Sequence, residues 1–479
     1  MRNARNQKQN FSAPIVREIP LSADELLHAL FSLPPHRRLS VLDSCGAGQS
    51  SANYLIAGFD PFEIIESRGN QLRISTRGDS DYVTEGDVLD SLDERLAGYR
   101  VENASPYSLP VAGACIATFS YELAHRLERL RLNSSAQCVS DEPDATLAFY
   151  DTLVVHDYRQ GKTQVIGVAG SDRVMETADA VLETHRRAVE NPEGEQPAVR
   201  AVESNFTRDE YLAKVRLIKE HIAAGDIYQA NLTQQLTCAL SGECRPENIF
   251  LRLRRDYPAP FAAFLRRRED VVISASPERF LRVEAMDDMR QVEAWPIKGT
   301  RPRGSAADED DRLRAELLTS EKDRAENVMI VDLLRNDLGR VCRYGSVEVV
   351  ELCALEEHPT LFHLVSKVRG VLRDEITAGA LLRAAFPCGS ITGAPKIRAM
   401  EIIADVETRP RGLSMGALGY FSFTGSLDLN VAIRTMTLDD HVAVFNVGGG
   451  IVADSTPSLE YEESLLKARA LLCALGIRN

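Results

Sequence analysis

Lys298, in the run Trp295-Pro296-Ile297-Lys298-Gly299-Thr300-Arg301, stands between an apolar stretch and a Gly-Thr turn. An amine placed there is partly desolvated, and desolvation favours the neutral, nucleophilic nitrogen. The plainer alternative is a lysine that solvates a strand end. A candidate partner is Glu278, in Ser276-Pro277-Glu278-Arg279-Phe280-Leu281. Arg279–Val283 and Gln291–Trp295 predict the two strands of a hairpin, joined by a polar turn centred near residue 288. Positions 278 and 298 are symmetric about that centre, which predicts cross-strand neighbours about 5 Å apart at Cβ. Such a pair is either a structural ion pair or a nucleophile beside its acid/base partner. The two residues alone leave both readings open.

Carboxylates with helical spacing form a second group. In Ser320–Arg340, Ser320 is a cap with Asp323 at the third helical position, and Asp323 and Glu326 share a face. Thr456 and Pro457 open a C-terminal helix on which Glu460, Glu463 and Lys467 fall at i, i+3 and i+7. Each stripe alone is ordinary wet surface. Two such faces brought together would make an oxygen-lined Mg2+ site that keeps waters and takes an anionic substrate. The glycines of Asn446–Gly450, after the strand His441–Phe445, allow close backbone approach. Arg434, on the strand-like run Asn430–Thr435, suits bidentate carboxylate binding or a structural pairing. Lys396, after the Ser/Thr/Gly loop at Gly389–Pro395, predicts an anion cradle at a helix start, although the Walker spacing is absent. His363, alone among apolar residues in Leu361–Ser366, reads first as a core residue and second as a catalyst. Cys388 is set aside as a nucleophile.

These residues need a scaffold. The 479 residues are 44% hydrophobic and 26% charged, ordinary for a soluble globular chain. No apolar run approaches the roughly 18 residues of a membrane span, and the basic first residues lack the apolar core of a secretory signal. A net charge of −14 excludes nucleic acid as the main partner, so an anionic ligand must meet positive charge locally. The 9 cysteines show no C-x-x-C pair, consistent with reduced thiols in the cytoplasm. A Pro/Gly/Glu-rich passage at 190–197 predicts a linker. The expected organisation is a disordered tail over 1–15, an N-terminal region over 16–190, a linker over 191–205 and a catalytic region over 206–475. Strands are predicted at Gln71–Thr76, Ala145–Tyr150, Thr152–His156 and Ile227–Leu236, with helices near 22–32 and 173–189. A capping box at Thr207 and Glu210 opens another helix, which Gly225 ends. Strands and helices mix without strict βαβ alternation, so the expected class is α+β with large, mostly antiparallel sheets flanked by helices.

Taken in order, SPERFL, PIKGTRPRG, KDRAENVMIVDLLRNDLGR, FHLVS, GSITGAPKIRAME, GALGYFSF, AIRT and GGGIVADSTPSLEYEE resemble the chorismate-utilising enzymes. That family includes anthranilate, aminodeoxychorismate, isochorismate and salicylate synthases. The match runs from about Phe206 to Leu475, and a looser one covers Leu42-Asp43-Ser44 and Val111–Leu130. The resemblance implies the anthranilate synthase component I-like fold. Within the family, lysine in PIKGT marks the aminodeoxychorismate branch, where anthranilate synthases carry alanine. Gln229 stands where hydroxylating members keep a lysine base, which favours ammonia over water.

The resemblance therefore implies that Lys298 attacks C2 of chorismate while the C4 hydroxyl leaves with a proton from Glu278. Ammonia then attacks C4 and expels Lys298, giving 4-amino-4-deoxychorismate for p-aminobenzoate and folate synthesis. It implies Glu326 and Glu463 on Mg2+, with Asp323 and Glu460 near its waters. His363, Thr300, Arg434, Lys467, Gly448 and Gly450 would surround the substrate. Ser414 stands where many members have an aromatic residue that helps hold a substrate carboxylate. No amidotransferase nucleophile turn is present, so ammonia is expected from a separate glutamine amidotransferase subunit. Several relatives bind tryptophan in the N-terminal region.

Overall fold

The β-branched runs near the N-terminus do not close a sheet of their own. In the computed structural model, Ser40–Asp43 pairs on one side with Tyr54–Gly58 and on the other with Phe261–Arg266, beyond the expected linker. Ala114–Phe119 pairs in the same way with Ala417–Ser422. Both regions of the chain therefore run through both of its sheets. The structure describes residues 11, 13–46, 53–101, 109–132, 140, 142–188, 198–241, 244–286, 289–357, 361–439 and 441–477.

Among the described residues each sheet has 12 strands. The first runs Ile15–Ile19, Lys162–Gly167, Thr152–Asp157, Tyr54–Gly58, Ser40–Asp43, Phe261–Arg266, Val271–Ser276, Thr435–Leu438, Val442–Ile451, Gln229–Ser241 and Ala198–Ser204, with Gly393–Ala394 also on Gln229–Ser241. The second runs Ile297–Pro302, Leu361–Val371, Met289–Trp295, Arg279–Met286, Leu427–Val431, Ala417–Ser422, Ala114–Phe119, Ala145–Tyr150, Glu63–Arg68, Gln71–Thr76 and Tyr82–Glu85, with Glu348–Glu357 also on Leu361–Val371. The paired strands are antiparallel, as expected for an α+β chain.

Alternation along the strands explains the layering. On the first sheet Ile56, Val155, Ala263 and Leu265 point inward, into a core shared with Ile65, Phe119, Leu147 and Leu281 of the second. Leu55, Val154, Phe264 and Ile273 point outward and are covered by the helices Ala23–Phe31, Ser171–Ala188, Pro246–Asp256 and Pro457–Ala474. Capping sets several helix starts. Ser22 with Glu25 and Thr207 with Glu210 form complete capping boxes, and the Ser320 hydroxyl accepts from the Asp323 N–H.

Several expectations need correction. The hairpin forms, but Val283 faces Val292 and a bulge between Arg279 and Arg282 leaves Arg279 opposite Trp295. Lys298 then leaves the hairpin, because its strand Ile297–Pro302 pairs with Leu361–Val371. Glu278 and Lys298 are thus not cross-strand neighbours; the turn residues 287 and 288 lie outside the described residues. The glycine run does not follow a strand but continues one, with Gly448, Gly449 and Gly450 opposite Thr233, Leu232 and Asn231. Arg434 is not within a strand. It occupies the break between Leu427–Val431 of the second sheet and Thr435–Leu438 of the first, at a left-handed φ of 48°. Of the expected linker, residues 191–197 lie outside the described residues, whereas Ala198–Ser204 is an edge strand on Gln229–Ser241. Residues 1–10 and 12 of the expected tail also lie outside them. Phe11 is anchored instead, with its ring against Phe62, Tyr99 and Phe423.

Candidate active site

A bulge between Ile297 and Thr300 lifts Lys298 out of its ladder. Gly299 makes the bulge possible twice over. Its φ is +83°, and a Cβ there would lie 2.9 Å from Leu317 Cδ1 and 3.0 Å from Asp323 Cβ. The helix Glu321–Gly339 can therefore close against the lysine strand. The amine meets polar groups rather than an apolar wall: Lys298 Nζ donates to the Ser390 carbonyl at 3.3 Å and lies within electrostatic reach of Glu278, Glu326 and Glu463.

Glu278 is 4% exposed, and its Oε1 has no hydrogen-bond partner among the described residues. Burial raises its pKa, against an opposing pull from the Lys298 charge, the Ser390 hydroxyl, the Ile297 N–H and Lys467. A buried carboxyl held toward its protonated form is suited to give up a proton to a leaving group.

The two carboxylate faces do meet. On the C-terminal helix, Glu460 Oε2 and Glu463 Oε1 lie 3.5 and 3.7 Å from the point a Cβ on Gly449 would occupy. Lys467 Nζ binds Glu463 Oε1 at 2.8 Å and the Gly448 carbonyl at 2.9 Å. Glu463 is lowered: burial raises it, but Lys467, Lys322 and Lys298 outweigh that rise. Glu326 is raised by burial and by the nearby Asp323 and Glu460, with Lys298 and Lys322 opposing. Ser455 Oγ holds Glu460 Oε1 at 2.6 Å. Asp323 is shared with Arg301, whose Nη2 lies 3.2 Å from Oδ2.

Among the described residues no three His, Cys, Asp or Glu side chains come together in a group that could hold a metal ion by themselves. The donors fit an ion that takes one or two protein carboxylates and completes its shell with water and substrate, the habit of Mg2+. Asp323 and Glu460 each act electrostatically on Glu326, and this concentration of negative charge is what suits a cation.

The remaining expected residues have the following neighbours. Thr300 and His363 are cross-strand partners, with Thr300 Oγ1 2.9 Å from His363 Nδ1. Arg434 is held by burial below the usual guanidinium range, and among the described residues no carboxylate pairs with it. Ser414 Oγ accepts the Asn446 N–H at 3.0 Å, so one of its lone pairs serves the fold. Gln229 is fully buried with both amide atoms unpartnered among the described residues, and its side chain fills the space where a Cβ on Gly450 would sit. Two candidates fall away. Lys396 is a structural lysine, bound to Asp337 Oδ2 at 2.6 Å and to the Ala385 carbonyl at 3.0 Å. Burial raises the Cys388 thiol to about 12, which leaves it protonated.

Two contributors were not identified from the sequence. Ser390 supplies the carbonyl that Lys298 meets, and nothing local signals a contact across that separation. Lys322 stands four residues before Glu326 on one helical face, a spacing that was available to be read. A separate cavity of about 100 Å3 lies between the sheets, lined by Asp43, Ser44, Tyr54, Phe261, Tyr420 and Asp428, away from Lys298.

Residues 41–473 match the family described as chorismate binding enzyme. The chain is 36% identical over 473 residues to aminodeoxychorismate synthase component 1 of Bacillus subtilis (strain 168), covering 97% of each. It is 35% identical over 456 residues to anthranilate synthase component 1 of Acetivibrio thermocellus, covering 91% of this chain and 89% of that one. The crystal structure of anthranilate synthase component I from Streptococcus pneumoniae TIGR4 superposes with a TM-score of 0.74 at 29% identity, over 88% of this chain and 94% of that one.

Proposed function

This chain belongs to the chorismate-binding enzymes, and we propose on that footing that it converts chorismate and ammonia to 4-amino-4-deoxychorismate. Overall identity to the two synthase types is nearly equal. The observation that carries the choice is local: a lysine amine at position 298 among Glu278, Glu326 and Glu463.

The reaction divides between the residues as follows. The Lys298 amine forms a bond to C2 of chorismate, the ring double bonds shift, and the C4 oxygen departs as water with the proton of Glu278. The adduct nitrogen sheds one proton and remains a secondary amine. Ammonia then forms the bond to C4, the double bonds shift back, and the C2–N bond breaks to return Lys298. The net change is chorismate plus ammonia to aminodeoxychorismate plus water.

The cleft's other groups fit the substrate's charge. Arg434 offers a guanidinium with no competing carboxylate among the described residues, and Lys467 sits beside the glycine strand. Thr300 and His363 line the Lys298 strand, and the glycines let the ligand approach the backbone. Gln229, buried with its amide unspent, is the group placed to hold the incoming nitrogen nucleophile rather than deprotonate water. Glu326 and Glu463 would hold Mg2+, with Asp323 and Glu460 toward its waters, and the ion would neutralise a substrate carboxylate as charge moves into the ring. Ammonia would come from a separate glutamine amidotransferase subunit in the cytoplasm.

Incubating the purified chain with chorismate, Mg2+ and ammonium tests this reading. Aminodeoxychorismate is the expected product. Anthranilate with pyruvate would transfer the chain to the other synthase type, and isochorismate formed without a nitrogen source would make it an isomerase.

A further inference from the structure

Lys322, among the described charged groups around Glu326, has no part in the proposed chemistry. It lies in the first turn of Glu321–Gly339, and its Nζ stands 3.9 Å from Glu326 Oε1 and 3.7 Å from Glu460 Oε1. It therefore bridges one carboxylate from each of the two helices that would share a cation. Both separations exceed a hydrogen bond, so the ammonium acts there as a point charge with no directional bond to break. Its side chain is 48% exposed, against 15% for Glu326 and 5% for Glu460. Glu460 is held and the ammonium is free to leave: Ser455 pins Glu460 at 2.6 Å, whereas a four-carbon stem lets the amine swing into solvent.

We propose that the Lys322 ammonium is a tethered counter-ion for Glu326 and Glu460, and that a divalent cation binds this cleft by displacing it. The inference rests on the Mg2+ reading above. A single positive charge offsets carboxylate repulsion when no ion is bound, which keeps the two helices together. A divalent ion at the same carboxylates would stand a few ångströms from that ammonium, and like charges at such range repel strongly in a half-buried setting. The lysine must then turn outward, and the ion's affinity for the free chain is reduced by the cost of evicting it. An anionic substrate offsets that cost, so the ion and chorismate should bind cooperatively.

The test is calorimetric titration of Mg2+, or Mn2+ followed by its EPR signal, into the chain without chorismate. Wild type is compared with Lys322→Gln, and with Arg335→Gln as a control for charge removed elsewhere on the same helix. Lys322→Gln should bind the ion about tenfold more tightly, while Arg335→Gln stays at wild type. Lys322→Gln should also melt lower than wild type in EDTA and gain more from saturating Mg2+. Equal or weaker binding by Lys322→Gln overturns the proposal, as does equal tightening in both variants, which would mean a general charge effect. Wild-type chain that binds no divalent ion even with chorismate present removes the Mg2+ reading itself, and the displacement proposal with it.

Discussion

The Arg411 cluster and the Lys298 cleft touch neighbouring carbonyls of one loop, yet they treat buried charge differently. Arg411 binds Glu407 at 2.7 Å, donates to the Ile391 and Asn231 carbonyls at 2.8 and 2.6 Å, and lays its guanidinium over the Tyr121 ring. Lys396 is matched by Asp337 in the same way. One residue along the loop, Lys298 meets the Ser390 carbonyl at 3.3 Å and has no ion pair within 4 Å among the described residues. Glu278 leaves an oxygen unpartnered beside it, and Gln229 leaves both amide atoms. Buried polar groups are normally satisfied, so a concentration of unsatisfied ones marks where a ligand completes the structure. The first neighbourhood is built for stability and the second is built to be finished by substrate.

That contrast can be broken most severely at the two lysines. Lys298→Ala should lower aminodeoxychorismate formation by about 10^4-fold, with a melting temperature near wild type, since the residue would supply the covalent step and little packing. Steady-state turnover and a thermal melt read both parts. Lys396→Met should do the reverse. It strands Asp337, whose carboxyl is already raised by burial with Lys396 opposing, and should cost about 3–5 kcal/mol in denaturant unfolding. A Lys396→Met chain that keeps its stability but loses turnover would mean that the division between the two neighbourhoods is misdrawn.

Glu278→Gln sharpens the comparison at smaller cost. It keeps the shape but removes the transferable proton, so turnover should fall about 100-fold. The same variant carries a pH signature. Burial raises Glu278 above its ordinary 4.5 in the folded chain, so the folded state holds that proton more tightly than the unfolded one. Its stabilising contribution is complete below 4.5 and is lost as pH rises through the folded pKa. Relative to wild type, Glu278→Gln should therefore gain stability on going from acid to neutral pH. A pH-independent difference between the two chains would show that Glu278 is not held toward its protonated form.

Much of the cleft was legible in the sequence because its residues sit in local patterns. Capping at Ser320 and Thr207 follows from side chains within one turn. The Asp323/Glu326 and Glu460/Glu463 faces follow from helical spacing, and the Lys298 segment from its unusual neighbours. What was not legible depends on partners far along the chain. Glu278 and Lys298 approach through a bulge and a strand exchange rather than through hairpin symmetry, because the Arg279/Arg282 irregularity shifts the register and the lysine strand changes partner. Arg434 reads as strand from its β-branched neighbours, but the chain crosses between sheets there and needs a left-handed residue. Lys396 reads as an anion ligand only until Asp337 is placed beside it. The extent of the N-terminal region was hidden for the same reason: its strands are completed by partners more than two hundred residues away, as Leu42 is by Ala263.

The central claim is that Lys298 forms a covalent bond to the substrate, and mass spectrometry of the chain quenched during turnover tests it most directly. With chorismate and Mg2+ present and ammonia withheld, the peptide containing Lys298 should carry the mass of chorismate less water. The adduct should disappear on addition of ammonium and be absent from Lys298→Ala. An unmodified Lys298 peptide in chain that is competent for turnover would contradict the account.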